Sequence, residues 1–221
     1  MKAKLNPFVV YLFWILATMV GWLAGVFNLG ATAKTYLDIV RLLPIYLVDG
    51  LLIGLVVGLG QALVLRRFTD LASKWVLATT IGYVLTFGMG LIVSVLIPSI
   101  VWMLKGESLL PFTKPSTTDI WITIHDLFWG GMLIGAIQWP VLKKIIPNSS
   151  HSKGILWVLV TWFVFGTSIF VGAFTHGSFL ATFQMGILGS VMGLSTGLIL
   201  LAFLSNSKIL GQSTTYQNNP V

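Results

Sequence analysis

The chain contains no cysteine and very little charge, and each absence excludes a class of protein. Without cysteine, disulfide bonds, thiolate metal sites and cysteine nucleophiles are excluded. Charged residues make up only 9% of the 221 residues, whereas an ordinary soluble domain carries roughly 25%. A soluble protein of this size needs more polar surface than that. The sequence also lacks a Gly-x4-Gly-Lys-Ser/Thr nucleotide motif and a His-Glu-x-x-His metal motif.

Apolar residues, in contrast, make up 56% of the chain. They form recurring stretches of about 20 residues, each long enough to cross a hydrocarbon core of about 30 Å as a helix. Helices are expected because a lone strand cannot satisfy its backbone in lipid. We therefore predict an all-α integral membrane protein with six spans. The predicted spans are Phe8–Phe27, Leu43–Leu65, Trp75–Val101, Ile120–Leu142, Ile155–Phe174 and Phe179–Leu204.

The distribution of basic residues predicts the orientation of the spans. The net charge is +7, from 13 Lys and Arg against 6 Asp and Glu. Nine basic residues share one side of the predicted spans: Lys2, Lys4, Arg66, Arg67, Lys74, Lys143, Lys144, Lys153 and Lys208. Because cytoplasmic loops carry the excess of Lys and Arg, both termini are predicted to be cytoplasmic. Trp75 and Trp157 are predicted to lie in the interfacial aromatic belt at that side. Topology accounts for the positive charge, so no nucleic-acid partner is predicted.

Residues recur at matching positions in the odd spans and in the even spans. The even spans share five columns: Asp49, Asp126 and Gln184; Gly54, Gly131 and Gly189; Gly58, Gly135 and Gly193; Gln61, Gln138 and Thr196; and Leu65, Leu142 and Leu200. The odd spans share four: Trp14, Trp75 and Trp157; Leu16, Leu77 and Leu159; Thr18, Thr79 and Thr161; and the aromatic residues Trp22, Tyr83 and Phe165. We therefore predict three parallel helical hairpins of about residues 8–65, 75–142 and 155–204, in one domain of residues 1–204. Residues 205–221 are polar and are predicted to be a disordered tail.

Two of the repeated segments resemble a known group of proteins. Gly58–Arg67 and Gly135–Lys144 follow the pattern Gly-x-x-Gln-Trp-x-x-Leu-Arg/Lys-Arg/Lys, with Ala62 in place of Trp in the first copy. They are similar to repeats of small uncharacterised bacterial multi-pass membrane proteins, cyanobacterial ones in particular. The resemblance covers most of the chain, about residues 49–172. It implies the fold and a location in the bacterial plasma membrane or an internal membrane such as the thylakoid. It implies no activity, and no cofactor is predicted.

The glycine columns predict close helix packing. Gly54 and Gly58, and their counterparts in the other two copies, are small-xxx-small pairs that let helix backbones approach in lipid. Gln61 lies almost two helical turns beyond Gly54 and is predicted to end this packing ridge with an interhelical hydrogen bond. The alternative is that Gln61, Gln138 and Thr196 form a polar ring along a central path.

Asp49 and Asp126 are the sharpest candidates for a ligand or ion site. Each lies about 10 Å inside the outer end of its span, and an acid at that depth is a functional hypothesis by default. Gln184 completes the layer in the third copy, and His125 and His176 lie on the same side. The alternatives are that Asp49 caps a later-starting helix, or that the layer is a structural hydrogen-bond network. Adjacent helix residues point about 100° apart, so His125 and Asp126 are not expected to share a metal, and no metal site is predicted.

No catalytic constellation is evident, so the chain is predicted not to be an enzyme. The leading expectation is a structural or accessory subunit, or assembly partner, of a membrane complex. The alternative is a transporter or channel for a small solute, ion or proton, using the layer of Asp49, Asp126 and Gln184. A membrane-embedded enzyme acting on a hydrophobic substrate through Asp126 and a histidine is a third class. Expected partners are membrane lipids, and also other complex subunits or further copies of the chain.

Overall fold

Every regular element in the described part of the chain is helical. The computed structural model describes residues 6–25, 36–104, 129–146, 150–173 and 178–205. The prediction of an all-helical chain is confirmed for these residues. They contain six α-helices: α1 Pro7–Gly25, α2 Tyr36–Leu65, α3 Ala72–Leu104, α4 Gly131–Ile145, α5 His151–Ala173 and α6 Ser178–Ser205. A π-helical turn at Trp129 and Gly130 leads into α4. The predicted tail, from residue 206 onward, lies outside the described residues.

Three of these helices are long and apolar enough to cross a membrane. The qualifying stretches in the described residues are Pro7–Ala24, Leu43–Leu65 and Gly186–Leu204. They belong to α1, α2 and α6, and they are consistent with a membrane protein. Helix α2 begins at Tyr36, seven residues before the predicted span, and continues through Pro44. The mixed polarity of residues 36–42 ends the apolar run without ending the helix.

The six helices form a closed ring. Each helix contacts the next one along the chain, and α6 returns to contact α1. Large apolar side chains are exposed on the outside of this ring, including Phe8, Phe13, Leu63, Leu77, Phe163 and Leu198. Buried polar side chains lie inside it, including Thr18, Gln61, Thr79, Gln138, Thr161 and Thr196. This distribution, apolar outside and partly polar inside, is the one a lipid environment favours.

The glycine columns lie at three equivalent interfaces of the ring. A Cβ built on Gly54 of α2 would lie 2.7 Å from the Cα of Thr80 in α3, closer than real Cβ contacts allow. The counterparts meet backbone in the same way: Gly131 of α4 at 2.5 Å from Trp162 Cα in α5, and Gly189 of α6 at 2.8 Å from Met19 Cα in α1. Each even helix therefore packs its glycines on the odd helix that follows it, and α6 packs on α1.

Candidate functional site: a buried tryptophan, glutamine and threonine ring

Three tryptophans meet at the centre of the ring of helices. Trp14 of α1, Trp75 of α3 and Trp157 of α5 are each less than 2% exposed. The ring centroids of Trp14 and Trp75 are 5.7 Å apart, and those of Trp75 and Trp157 are 6.1 Å apart. The prediction that Trp75 and Trp157 lie in an interfacial belt is therefore wrong. Both side chains face the axis of the ring of helices, where their rings contact each other.

A second aromatic layer lies two helical turns further along the same helices. It consists of Trp22, Tyr83 and Phe165, each eight residues after one of the tryptophans, so the layers are about 12 Å apart at 1.5 Å per residue. Trp22 packs on Tyr83 at 6.3 Å and on Phe165 at 5.6 Å between centroids. Its Nε1 donates a hydrogen bond to the Tyr83 hydroxyl at 3.2 Å. All three side chains are buried, so both ends of this 12 Å section are filled with aromatic rings.

Gln61 joins three helices in the polar layer between the aromatic ones. Its Nε2 donates to Thr18 Oγ1 of α1 at 3.0 Å, and its Oε1 accepts from Trp75 Nε1 of α3 at 3.0 Å. Thr18 Oγ1 in turn donates to the carbonyl oxygen of Trp14 at 2.9 Å. Each polar atom of this group has a partner, so these hydrogen bonds compensate for burying the polar atoms away from solvent.

Gln138 and Thr196, the other two members of the glutamine column, take part in a similar arrangement with fewer bonds. Gln138 Nε2 of α4 donates to Thr79 Oγ1 of α3 at 3.0 Å, which matches the bond from Gln61 to Thr18. No bond corresponds to the one from Trp75 Nε1 to Gln61, because the buried Trp157 Nε1 has no hydrogen-bond partner within the described residues. Thr196 of α6 stands in the glutamine column, and its Oγ1 accepts from Trp14 Nε1 at 3.1 Å.

The hydrogen bonds of this layer consequently link five helices in an unbroken series, from α6 through α1, α2 and α3 to α4. Helix α5 contributes Thr161, whose hydroxyl donates to the carbonyl oxygen of Trp157 in its own helix at 2.8 Å. In the part of the chain that the structure describes, no side-chain hydrogen bond of this layer joins α5 to α4 or α6. Helix α5 is held in the layer by packing instead, through the contact between the Trp75 and Trp157 rings and the close approach of Gly135 in α4 to Thr161.

The structure describes only part of the predicted acidic layer. Asp49 is 1% exposed and lies six residues inside the apolar stretch Leu43–Leu65. It is not a helix cap, because α2 begins 13 residues earlier at Tyr36. Gln184 lies in α6, but its side chain is outside the described residues, and so are Asp126, His125 and His176. The convergence of these five residues therefore stays a prediction.

The chemistry of the described layer is that of neutral donors and acceptors. Its members carry amide, hydroxyl and indole groups, which neither titrate near neutral pH nor form a nucleophile–base pair. Among the residues with described positions, no group of three His, Asp or Glu side chains could hold a metal ion. What this layer can do is fix which helices are neighbours, because each bond has a single geometry in a site that excludes water.

No protein-family model matches the chain, and no curated protein or solved structure matches it. The tryptophan layer was visible in the sequence as a column of Trp14, Trp75 and Trp157, each four residues before a threonine. Residues four apart share a helix face, so each tryptophan faces the same way as its threonine. The structure shows that this shared face is the interior, because both columns are buried.

Proposed function

We propose that the chain is an integral membrane protein of six spans, arranged as three hairpins of about residues 8–65, 75–142 and 155–204. The recurrence of the same glycine contacts at three interfaces supports this arrangement. We place both termini on the cytoplasmic side of a bacterial plasma membrane or thylakoid. The support is that six basic residues lie at the ends of helices that pack beside the start of α1 and the end of α6: Arg66, Arg67, Lys74, Lys143, Lys144 and Lys153.

Reporter fusions test this topology. Green fluorescent protein fluoresces on the cytoplasmic side and alkaline phosphatase is active on the opposite side. Fusions after Phe68 and after Ile146 are expected to fluoresce, and a fusion after Lys105 is expected to show phosphatase activity. The reverse pattern would overturn the orientation, and fluorescence at all three points would overturn the six spans.

The proposed role is that of a structural or accessory subunit, or assembly partner, of a larger membrane complex, without enzymatic activity. The observation that carries it is the filled section of the interior: two aromatic layers about 12 Å apart enclose a hydrogen-bonded polar layer along the axis. If this section is closed to solutes, the outer faces of the helices are the surface through which the protein acts. Those faces carry large apolar side chains such as Phe163 and Leu77, which suit contacts with lipid and with other membrane helices.

Single-cysteine crosslinking in native membranes tests this role, and the chain suits it because it has no cysteine of its own. Phe163→Cys and Leu77→Cys place a thiol on the outside of the ring. Thr161→Cys places one in the interior and is the matched control. We expect an outer thiol to crosslink to a defined protein that also co-purifies at fixed stoichiometry in mild detergent, and the inner thiol to give none. A monomer without crosslinks from either outer position would count against the subunit role.

Transport is the second candidate, and the observation that favours it is the burial of Asp49 within an apolar stretch. Its test is proton flux into proteoliposomes, measured with a pH-sensitive dye. Asp49→Asn should abolish the flux of the folded protein. Asp70→Asn should leave it unchanged, because Asp70 is exposed in the turn between α2 and α3. The absence of proton or common-cation flux through the wild-type protein would contradict transport and favour the subunit role.

A further inference from the structure

A groove of about 580 Å³ lies between α1 and α2 on the outside of the ring. Its walls are apolar, and they include Val9, Phe13, Leu16, Val20, Val56 and Leu63. The two helices approach closely along its floor, where a Cβ built on Gly60 would lie 2.5 Å from the Cβ of Ala17. Arg66 and Arg67, in the turn that follows α2, line one end. The groove is thus long and apolar, and one of its ends is strongly basic.

The length of the groove matches one leaflet of a bilayer. On α1 its lining runs from Val9 to Val20, which is about 16 Å at 1.5 Å per residue. Half of a hydrocarbon core of about 30 Å is about 15 Å. The basic end lies beside the first turns of α1, since Val10 and Val64 line the groove and belong to one buried cluster. The arginines are therefore at headgroup level when the apolar walls are at acyl-chain level.

The charge of the basic end is available to a ligand. Arg66 and Arg67 are both exposed, and within the described residues neither guanidinium group takes part in an ion pair or a side-chain hydrogen bond. The nearest acid along the chain, Asp70, is likewise exposed and not paired with them. Two adjacent guanidinium groups offer forked donors that match the oxygens of a phosphate.

We propose that this groove binds one anionic phospholipid, with an acyl chain along the apolar walls and the headgroup phosphate on Arg66 and Arg67. The proposal rests on the membrane placement proposed above, but not on the subunit role. The second copy of the repeat offers a contrast, because it keeps a basic pair, Lys143 and Lys144, but has Ile137 in the column of Gly60. A site that needs both the charge and the groove is therefore specific to the first copy.

Binding of lipids to the delipidated, detergent-solubilised full chain tests the proposal. The probes are dioleoylphosphatidylglycerol, which is anionic, and dioleoylphosphatidylcholine, which is zwitterionic, and native mass spectrometry gives the dissociation constants. The variants are Arg66→Gln/Arg67→Gln and, as the charge-matched control, Lys143→Gln/Lys144→Gln. Leu63→Trp, which fills the groove, is paired with Leu77→Trp, which enlarges an equally exposed side chain elsewhere; the two leucines are 55% and 61% exposed.

We expect the arginine pair to matter far more than the lysine pair. Its loss should weaken phosphatidylglycerol binding about 30-fold, equivalent to about 2 kcal/mol, which is the contribution of two basic residues beside an anionic lipid surface. The lysine variant should change affinity less than about threefold. Leu63→Trp should weaken binding of the same lipid, whereas Leu77→Trp should not. Phosphatidylcholine should bind weakly to every form.

Several results would overturn the site. Equal losses in the two charge variants would indicate general attraction to a basic surface, and indifference to Leu63→Trp would indicate binding of the headgroup alone. Phosphatidylcholine binding as tight as phosphatidylglycerol binding would remove the role of charge. If the glutamine pair does not fold, Arg66→Lys/Arg67→Lys keeps the charge but loses the forked geometry, and it should bind more weakly than wild type. Carbonate extraction of membranes reports membrane insertion separately, so a failed lipid site and a failed membrane placement are distinguishable.

Discussion

Replacing Gln61 by leucine removes the side chain that joins α1, α2 and α3, while keeping its approximate volume. Two interhelical hydrogen bonds are lost, to Thr18 and from Trp75, each at 3.0 Å. Such bonds average about 0.6 kcal/mol in membrane proteins. The buried Trp75 indole donor is then left unpaired, which adds about 1 kcal/mol. The free energy of unfolding should therefore fall by about 2 kcal/mol.

Gln138 provides an internal comparison with the same chemistry. Gln138→Leu removes one interhelical hydrogen bond, to Thr79, and orphans no indole, because Trp157 Nε1 has no partner within the described residues of the wild-type chain. The expected loss is about 1 kcal/mol or less, roughly half that of Gln61→Leu. Gln61→Thr imitates the third copy, in which Thr196 accepts from Trp14, and should lie between wild type and Gln61→Leu.

Unfolding of the purified protein by sodium dodecyl sulfate in mixed micelles measures these differences. The nine tryptophans give a fluorescence signal that reports the packing of the interior. Circular dichroism of the same samples would show whether each variant starts from the same helix content. A loss for Gln138→Leu that equals or exceeds the loss for Gln61→Leu would refute the assignment of the bonds. A stabilised Gln61→Leu would show that the polar layer contributes specificity without stability.

Two further comparisons use the same assay. Gly54→Ala should destabilise the protein by about 1–3 kcal/mol because its Cβ would overlap the backbone of α3, whereas Gly186→Ala, with a flexible leucine 3.4 Å away, should be neutral or stabilising. Equal effects at the two glycines would contradict the close approach. Trp75→Phe should cost about 1 kcal/mol more than Trp157→Phe, since only Trp75 donates a hydrogen bond, to Gln61. A larger loss for Trp157→Phe than for Trp75→Phe would contradict the hydrogen bonding assigned to the two indoles.

The sequence allowed the helical class of the fold to be predicted because hydropathy is a local property of the chain. Apolar runs located the six helices, to within a few residues at most ends. The apolar stretch Leu43–Leu65 has the predicted bounds, whereas α2 itself begins earlier, at Tyr36, because the polar residues among 36–42 end an apolar run without ending a helix. The start of the fourth predicted span, at Ile120, lies outside the described residues.

The interior could be predicted only in part. The column of Gln61, Gln138 and Thr196 indicated a shared face, but the partners of that face lie on other helices. Which partner each one takes depends on how the helices are arranged around the ring. Trp75 and Trp157 show the limit most clearly, because they lie at the ends of their predicted spans and only the packing of α1, α3 and α5 turns them toward the axis. The position of a single glutamine or tryptophan in the sequence does not show which partner its side chain takes or which way it faces.

The closure of the ring by α6 on α1 has a consequence for biosynthesis. Helix α1 is made before α6, yet Trp14 finds its hydrogen-bond acceptor, Thr196, 182 residues later in the chain. The backbone of α1 at Met19 likewise meets its glycine partner, Gly189, only in α6. A chain cut short before α6 would hold an unpaired indole and an open helix surface inside the membrane. The packing surface of α1 is therefore completed only after α6 has been synthesised.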